Sequence, residues 1–470
     1  MRLERLCVLI WLLALTAAPH AIAQVRLPPY ERVVLDNGAV LFLMPQHEVP
    51  IIAFAALVRG GTVAEPVQRR GVAALTAALL ERGAGKRDAR AFVEAVADVG
   101  GELSAAPGLE AINIRGDFLA RDRKLMVELL ADLLIRPRFD ARELEKLKAR
   151  AIELIRAAKD SDARGLIGTY GNAFLFGNHP YGRPIGGDEA SLARVTREDI
   201  VAWYAEQAGA DRLQLSVAGD FDPAEMKKLL TAALAGMPKA HGVLPALTAA
   251  APVTGDRVLL IDKPDATQTY FWIGNVGVSK RYEAHAALEL ANTVFGGRFT
   301  SMLNTELRIR TGLTYGARSS VSRPSQPGSV AIVSYTRTDA TGQAIDLALA
   351  TLSRLRSDGL DAEQLESAKR YVLGQYPLDM ETSEQLAAQV ATVEFYGVGR
   401  AYVDDFAKEV QSVDLAKVRE VIDDVYPKPE DLVYVLIGNA AAIREQAAKY
   451  GPVTEMSIAA PEFRAPAQLH

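Results

Sequence analysis

Runs of apolar residues with a period of two or near 3.6 divide the first half of the chain into strands and helices. Residues 31–35 and 39–43 flank Asp36-Asn37-Gly38. Because Asn-Gly tolerates positive φ at both turn positions, this pattern predicts a β-hairpin. The nearly continuous apolar run from Ile51 to Val58 predicts a buried central strand. Helices are predicted at about 71–83, 87–99, 120–135, 141–158, 163–176 and 196–207, the last with Thr196 as N-cap and Asp199 at N3, followed by a strand at 212–218 and a helix from Pro223.

The same kinds of pattern resume in the second half after a change in composition. Pro238, Gly242, Pro245, Pro252 and Gly255 lie among many alanines in residues 238–256, which indicates an extended linker. Further elements are predicted as strands at 257–262 and 269–273, helices at about 281–295 and 299–310, strands at 314–322 and 328–336, helices at 339–357, 361–376, 383–398 and 414–425, and a strand at 431–437. We therefore assign residues 24–240 to an N-terminal domain, 241–256 to a linker and 257–470 to a C-terminal domain.

The two halves resemble each other in the order of their elements and in two short segments. Val413-Asp414-Leu415 corresponds to Val195-Thr196-Arg197 after 218 residues, and Tyr434-Val435-Leu436 corresponds to Leu215-Ser216-Val217 after 219. The pattern favours a duplicated α+β domain, each copy of about 210 residues and built as a mostly antiparallel sheet packed with helices. The alternative is a coincidence between two generic helix-strand units.

The first residues predict an export signal. Arg2 and Arg5 precede an apolar run from Leu6 to Ala17, and the small residues of Ala21-Ile22-Ala23 place a cleavage after Ala23, so that residues 1–23 form the signal peptide. The alternative is an uncleaved membrane anchor, for which the run is short. The only cysteine, Cys7, leaves with the signal, and a mature chain without thiols fits a periplasmic protein whose core needs no disulfides.

The charge of the chain excludes one class of partner. The formal net charge is −5, and removal of Arg2, Glu4 and Arg5 leaves the mature chain near −6. No basic tract is dense enough to neutralise a nucleic-acid backbone, so we expect no nucleic-acid partner. After the signal, no apolar segment approaches the length that crosses a membrane, so we expect no membrane partner either.

Two segments carry the most specific motifs of the N-terminal half. Arg59-Gly60-Gly61-Thr62 precedes Glu65-Pro66 and the helical pattern that starts at Gly71-Val72-Ala73, and Phe176-Gly177-Asn178-His179-Pro180-Tyr181-Gly182-Arg183-Pro184 follows later. In sequence, order and separation they resemble the insulinase/pitrilysin-type zinc metallopeptidases, most closely the short branch built like the mitochondrial processing peptidase and its bacterial relatives. The resemblance covers most of the mature chain and implies two homologous domains that form half of a clamshell.

The same resemblance exposes a missing metal site. In active members of the family, a helix carries His-x-x-Glu-His, whose histidines bind zinc and whose glutamate activates the bound water. The matching positions here are Ala74, Ala77 and Ala78, and the position that matches the third ligand, a glutamate, is Leu154, with Glu153 beside it. The resemblance therefore implies that this chain binds no metal and no cofactor.

Four other residues could in principle replace the missing ligands. These are His47, His179, Glu81 and Glu153, and none is paired at a metal-binding spacing. The alternative, which we prefer, is that they are loop or packing residues.

An accessory part of the same kind of site is intact in the second half. Leu307-Arg308-Ile309-Arg310-Thr311-Gly312-Leu313-Thr314-Tyr315 resembles a family pattern whose arginine and tyrosine reach the zinc site and contact the substrate. Arg308 and Tyr315 match that pair, whereas Ile309 replaces the usual glutamate. We expect Arg308 in the last helical turn, Gly312 in the left-handed conformation that ends the helix, and Tyr315 at the start of the next strand. The alternative is that Arg308 is a solvated helix residue and Tyr315 an ordinary strand aromatic.

A glycine-rich segment precedes this helix. Phe295-Gly296-Gly297-Arg298 resembles the segment found before the corresponding helix in related subunits, which implies a substrate-guiding role for Gly296 and Gly297. The alternative is a plain turn between two helices, which glycine also serves.

These observations lead to one main hypothesis of function and two alternatives. The main hypothesis is a non-catalytic subunit of a heterodimeric periplasmic zinc peptidase, which supplies Arg308 and Tyr315 to a homologous partner that has an intact His-x-x-Glu-His and holds the zinc. Its second ligand would be the peptide substrate. The first alternative is a peptide-binding or assembly protein of the same fold without a role in hydrolysis. The second is a different enzyme, although the sequence has no serine-centred elbow, phosphate-binding loop or paired histidines to support it.

Overall fold

Two six-stranded sheets, one from each half of the chain, organise the fold in the computed structural model, which describes residues 26–465. The predicted signal peptide, its cleavage after Ala23 and Cys7 lie outside the described residues. The N-terminal strands are β1 (Glu31–Val34), β2 (Val40–Pro45), β3 (Ile51–Arg59), β4 (Glu102–Pro107), β5 (Ala111–Leu119) and β6 (Leu213–Gly219). The C-terminal strands are β7 (Arg257–Asp262), β8 (Gln268–Val276), β9 (Ala317–Val321), β10 (Ser329–Arg337), β11 (Val433–Gly438) and β12 (Val453–Ser457).

Helices pack on the faces of both sheets. In the first half they are α1 (Val72–Leu80), α2 (Ala89–Ala97), α3 (Arg123–Ile135), α4 (Ala141–Asp160), α5 (Ile167–Phe176), α6 (Glu189–Arg194), α7 (Arg197–Gln207) and α8 (Pro223–Leu234). In the second half they are α9 (His285–Asn292), α10 (Met302–Asn304), α11 (Thr341–Asp358), α12 (Ala362–Gln375), α13 (Ser383–Tyr396), α14 (Ala401–Asp404), α15 (Phe406–Ser412), α16 (Leu415–Val425) and α17 (Ala440–Ala447). The π-helical segments Thr293–Gly297 and Thr305–Arg310 continue α9 and α10.

The two sheets share the same connectivity. The strand order is β1-β2-β6-β3-β5-β4 in the first and β12-β7-β11-β8-β10-β9 in the second. β2 runs parallel to β6, as β7 does to β11, and the other inner pairs of each sheet are antiparallel. Only the outer strands differ, because β1 forms an antiparallel hairpin with β2 whereas β12 runs parallel to β7. This topology confirms the predicted α+β duplication with mostly antiparallel sheets.

Alternation of side chains explains why the central strand β3 is apolar almost throughout. Ile52, Phe54 and Ala56 point into the N-terminal core with the helices of that domain. Ala55 points to the opposite face, where it joins a second cluster that includes Val390 of α13. A strand that is covered on both faces needs apolar residues at successive positions.

The two domains exchange a helix. The N-terminal α5 packs on β8 and β11 of the C-terminal sheet, and the C-terminal α13 packs on β3 and β6 of the N-terminal sheet. At the first contact, Trp272 is 2% exposed and its ring lies 2.7 Å from the point where a Cβ on Gly171 would stand. Glycine therefore allows the close approach of α5 to the sheet, and each domain buries part of the core of the other.

Most predicted elements are present, with some shifts in their bounds. The hairpin turn has Gly38 at a φ of 95°, and Thr196 and Asp199 form a reciprocal capping box at the start of α7. The predicted helix at 71–83 is shorter, since α1 covers 72–80. The strands β4 and β5, at 102–107 and 111–119, were not predicted from the sequence pattern. Within the described residues, no helix is both long and apolar enough to cross a membrane.

Candidate functional site

Helix α1 occupies the place of a metal-binding helix but carries no ligand atoms. Ala74 and Ala78, four residues apart, share one partly exposed side of the helix. Ala77, at the position that matches the family's glutamate, is completely buried. Alanine is the best helix former and fits close packing, so α1 keeps its fold without the groups that would bind zinc and activate water.

A buried carboxylate holds the start of this helix. Gly71 precedes α1 with a φ of 91°, and the backbone N–H groups of Gly71 and Ala73 donate to Glu65 Oε1 at 3.0 and 2.9 Å. Burial raises the pKa of Glu65 to about 8, although the two backbone hydrogen bonds and the charges of Arg183 and Arg70 oppose that shift. The Glu65-Pro66 motif is thus explained by the capping of α1.

The position matched to the third ligand does not restore a metal site. Leu154 lies on α4 and is 61% exposed, and Glu153 beside it is exposed as well. Ala151 and Ile155 of the same helix pack against the N-terminal core instead. The carboxylate of Glu153 therefore lies on the solvated side of α4.

The other candidate metal ligands of the N-terminal half each contact a different group. His47 Nδ1 lies 2.7 Å from Asp220 Oδ1 on the surface. His179 lies 2.9 Å from the carbonyl of Thr248 through Nε2 and accepts from the N–H of Tyr181 through Nδ1. Glu81 accepts from the N–H of Ala105 at the free edge of β4. Between residues 26 and 465, no group of three His, Cys, Asp or Glu side chains is placed to hold a metal ion, so the described part of the chain does not provide a zinc site.

The segment that carries Arg308 is a π-helix rather than the end of a regular α-helix. Thr305–Arg310 continues the short α10, so the helix predicted from residue 299 starts later and is wider in its last turn. The guanidinium carbon of Arg308 lies 4.7 Å from the ring centroid of Phe299, a cation–π contact. No carboxylate among the described residues forms an ion pair with Arg308, whereas Arg310 donates to Glu306 Oε1 at 2.9 Å.

Tyr315 lies in the loop before β9, not at the start of the strand as predicted. The strand begins at Ala317, and Gly312, with a φ of 64°, ends the helix as expected. The N–H of Thr314 donates to the carbonyl of Leu307 at 3.2 Å, which folds the loop back on the helix. The side chain of Thr314 accepts from the N–H of Gly316. These bonds keep Thr314 buried and leave Tyr315 78% exposed.

This arrangement places the partly exposed Arg308 of the π-helix near the loop that carries the exposed Tyr315. The fold-back at Thr314 brings the chain around Tyr315 to the helical turn of Arg308. A tyrosine hydroxyl and an unpaired guanidinium together offer several hydrogen-bond donors and one fixed positive charge. Such a pair can bind an oxygen atom of a ligand that carries or gains negative charge.

Gly296 has a packing role in the turn before this helix. A Cβ on Gly296 would stand 2.2 Å from the backbone nitrogen of Ser319 on β9, so only glycine permits the π-helical turn to approach that strand. Gly297 is exposed. Close packing against β9 explains why residue 296 is a glycine. The substrate-guiding role of Gly296 and Gly297 stays a prediction.

A second polar cluster lies between the two domains and was not predicted from the sequence. Tyr181, which belongs to one quoted motif, donates its hydroxyl to Glu110 Oε1 at 2.7 Å. Glu110 also accepts from the N–H and the hydroxyl of Ser325, at 3.1 and 3.0 Å, in the turn between β9 and β10. The motif thus supports a contact between the two domains. A glutamate in the turn between β4 and β5 was the only sign of this cluster in the sequence.

Comparison with known proteins identifies the family. Residues 43–189 match the family described as Insulinase (Peptidase family M16), and residues 194–372 match the Peptidase M16 inactive domain. The chain belongs to this insulinase family.

The relatives of this chain include proteins named as proteases and one named as a non-peptidase homolog. An uncharacterized zinc protease of Mycobacterium leprae is 25% identical over 78% of this chain and 82% of that protein. A non-peptidase homolog of Helicobacter pylori is 23% identical over 84% of this chain and 90% of that protein. The crystal structure of a peptidase M16 inactive domain from Pseudomonas fluorescens has the same fold, with a TM-score of 0.81 at 22% identity over 87% of this chain and 98% of that one. The relatives therefore include both zinc proteases and a non-peptidase homolog by name, and this chain has Ala74, Ala77 and Ala78 at the His-x-x-Glu-His positions of α1.

Proposed function

We propose that this chain is the non-catalytic subunit of a heterodimeric zinc peptidase. A homologous partner with an intact His-x-x-Glu-His holds the zinc, and this chain presents Arg308 and Tyr315 to the peptide bound at the partner's site. The two side chains donate to the peptide's carbonyl oxygen as it gains negative charge. The chain itself binds no cofactor.

One contrast within the molecule supports this proposal. Helix α1 has lost every group that chemistry at a metal would need, whereas the hydroxyl-bearing side chain of Tyr315 is 78% exposed on a loop that hydrogen bonds hold in place. An exposed tyrosine on an ordered loop beside an unpaired arginine is poorly explained by packing. A ligand outside this chain explains it directly.

We further propose that the protein works in the periplasm after cleavage behind Ala23. The apolar run and the small residues before Gln24 support export. Mass spectrometry of the chain purified from the periplasmic fraction of its native host should give an N-terminus at residue 24, and a cytoplasmic chain that keeps Met1 would contradict this proposal.

The function is tested by mixing this chain with a homologous exported chain that has intact metal ligands. We expect hydrolysis of a quenched fluorescent peptide in the mixture and in neither chain alone. Arg308→Ala or Tyr315→Phe should lower kcat by about 100-fold, the usual effect of removing one donor to a developing oxyanion. Size-exclusion chromatography should show that both variants still assemble.

Arg310→Ala is the matched control. Arg310 lies two residues from Arg308 and is exposed, and its partner Glu306 also accepts from Arg354 at 2.9 Å. This variant should therefore stay within about twofold of the original turnover. Full activity of the Arg308→Ala/Tyr315→Phe double variant would favour an assembly role, and chelator-sensitive cleavage by the pure chain would overturn the proposal.

A further inference from the structure

The C-terminal domain contains a solvent-accessible cavity that neither Arg308 nor Tyr315 lines. It has a volume of about 420 Å³ and lies between α9, α12 and the segment that contains α14 and α15. Lys280, from the loop after β8, and Arg323, from the turn between β9 and β10, both line it. The same turn contacts the N-terminal domain through Ser325, so the cavity borders the junction of the two domains.

Two cations of this cavity lack an acidic partner. Glu289 and Asp379 also line the cavity, but no ion pair in residues 26–465 joins either of them to Lys280 or Arg323. Arg323 Nη1 is buried without a hydrogen-bond partner in that part of the chain. Buried donors are nearly always satisfied in folded proteins, so an unpaired guanidinium nitrogen beside a cavity indicates a missing acceptor.

The lowered pKa of Lys280 also supports an anion at this cavity. Burial, with a smaller contribution from the positive charge of Arg323, lowers its pKa to about 8, while Glu289 opposes the shift only in part. Its ammonium lies 4.8 Å from the ring centroid of Tyr402. An anion placed between Lys280 and Arg323 would relieve the repulsion between the two cations.

The floor of the cavity is aromatic. The imidazole of His285 stacks on Tyr402 with 4.1 Å between ring centroids and on Phe406 with 5.7 Å. Tyr376 packs on Phe406 at 4.6 Å and donates its hydroxyl to the carbonyl of Val403. Burial, together with Arg323 and Lys280, lowers the pKa of His285 to about 4, so the imidazole is neutral and contributes apolar surface at neutral pH. A ligand in the cavity can therefore contact both cations and aromatic rings.

We propose that this cavity binds the free C-terminal carboxylate of a peptide, with Lys280 and Arg323 on the carboxylate and the rings of Tyr402 and Tyr376 beside the last side chain. Peptide is chosen as the ligand because the inference rests on the proposed function. Arginine and lysine are suited to a carboxylate, since they supply charge-assisted hydrogen bonds. The site would hold one end of a peptide substrate or product on the subunit that does not cut it.

The test uses the isolated mature chain without any partner and two labelled forms of one peptide, Ala-Ala-Ala-Phe. One form ends in a free carboxylate and the other in an amide. We expect fluorescence anisotropy to show that the acid binds at least about tenfold more tightly than the amide, because the amide loses its charge-assisted hydrogen bonds. In Lys280→Gln and Arg323→Gln this preference should disappear.

Lys408→Gln is the matched control, since Lys408 is exposed on α15 and does not line the cavity. It should keep the full preference for the acid. Equal binding of acid and amide by the original chain would overturn the proposal, and so would a preference that survives in both cavity variants. Competition by free phenylalanine as effective as that of the peptide would overturn the assignment to a peptide end. Because the measurement needs neither partner nor hydrolysis, its failure is distinct from failure of the proposed function.

Discussion

The N-terminal and C-terminal domains share one sheet topology but differ in the side chains of two corresponding turns. In the turn between β4 and β5, Glu110 accepts from Tyr181 and from Ser325 of the other domain. In the corresponding turn between β9 and β10, Arg323 has a buried nitrogen without a partner among residues 26–465. The two turns meet at the junction of the domains, where Glu110 is hydrogen-bonded to Ser325 while Arg323 keeps one buried nitrogen without a partner in the described residues.

A further contrast is found between α1, the first helix after β3, and α10, the second helix after β8. Ala77 of α1 is fully buried, and Glu65 caps this helix with two hydrogen bonds. In the other domain, the helix before β9 ends in a π-turn that carries Arg308 and an exposed Tyr315. We therefore interpret the N-terminal copy as a scaffold, and the C-terminal copy, with its accessible polar groups, is the one that we propose contacts the substrate.

The largest effect is expected where the domains exchange helices. Trp272 is 2% exposed and packs against Gly171 of α5. Trp272→Ala should lower the free energy of unfolding by about 3–5 kcal/mol through lost burial and a new cavity, as measured by urea denaturation followed by circular dichroism.

The opposite exchange provides the control. Ala391 of α13 lines a cavity of about 140 Å³ against β3 and β5, so Ala391→Val has room for part of its added volume and should cost less than about 1.5 kcal/mol. If the two variants lost the same free energy of unfolding, the contacts of α5 and α13 would be equally sensitive to substitution. That result would contradict the expected difference between the two exchanged helices.

Restoring the metal motif should fail in a specific way. Ala74→His/Ala77→Glu/Ala78→His adds a carboxylate where Ala77 is fully buried, which should cost about 1–3 kcal/mol. Zinc content, measured by plasma mass spectrometry after gel filtration, should stay well below one ion per chain because Leu154 supplies no third ligand. Ala74→His/Ala78→His is the control, since both positions are partly exposed and should accept histidine with little loss. One tightly held zinc in the triple variant would contradict the view that this domain is a scaffold.

The pH dependence of stability should separate the two domains through Glu65. Burial raises its pKa from the usual 4.5 to about 8. The folded state therefore favours the protonated form, so the stability contributed by this group is full below about pH 4.5, falls as the pH rises, and is lost above about pH 8. Glu65→Gln keeps an acceptor for the N-terminus of α1 but cannot ionise, so it should flatten this decline and raise stability at pH 8 by on the order of 1 kcal/mol. Urea midpoints at pH 5 and pH 8 measure the effect, and an unchanged slope would contradict it.

Local signals in the sequence predicted local structure well, whereas contacts between distant segments stayed hidden. The hairpin at Asn37-Gly38 follows from turn chemistry, and the absent ligands of α1 are visible as alanines. The strands β4 and β5 were missed although Ile112, Ile114 and Phe118 alternate with polar residues, because the inner face of the short β4 carries only Leu103, Ala105 and Pro107 and so gives a weak apolar signal. Tyr315 was placed in a strand because the side-chain bonds of Thr314 to the backbone of Gly316, which hold the loop, are not readable from residue types.

The cavity of Lys280 and Arg323 could not be predicted from the sequence. The two residues follow different strands, and only the pairing of β8 with β10 brings their loops together. Neither residue lies in a motif, and each alone is typical of a solvated loop.

The smallest effects are expected at two equivalent helix starts, α7 and α16. Thr196 accepts from the N–H of Asp199 at 3.2 Å, and the Asp199 carboxylate accepts from the N–H of Thr196 at 2.9 Å. Asp414 accepts from the N–H of Lys417 at 2.8 Å, but Lys417 returns no bond. Thr196→Ala and Asp414→Ala should therefore each cost about 1 kcal/mol in urea denaturation.

The residues three positions later distinguish the two starts. Asp199→Ala should cost about 1 kcal/mol more than Lys417→Ala, because Asp199 also pairs with Arg69 and is buried, whereas Lys417 pairs only with the exposed Glu420 on its own helix. Lys417→Ala should stay within about 0.5 kcal/mol of the original chain. If both variants lost the same free energy, the reciprocal cap of the N-terminal domain would contribute nothing beyond the single cap of its copy, and the difference between the two domains would not extend to their helix ends.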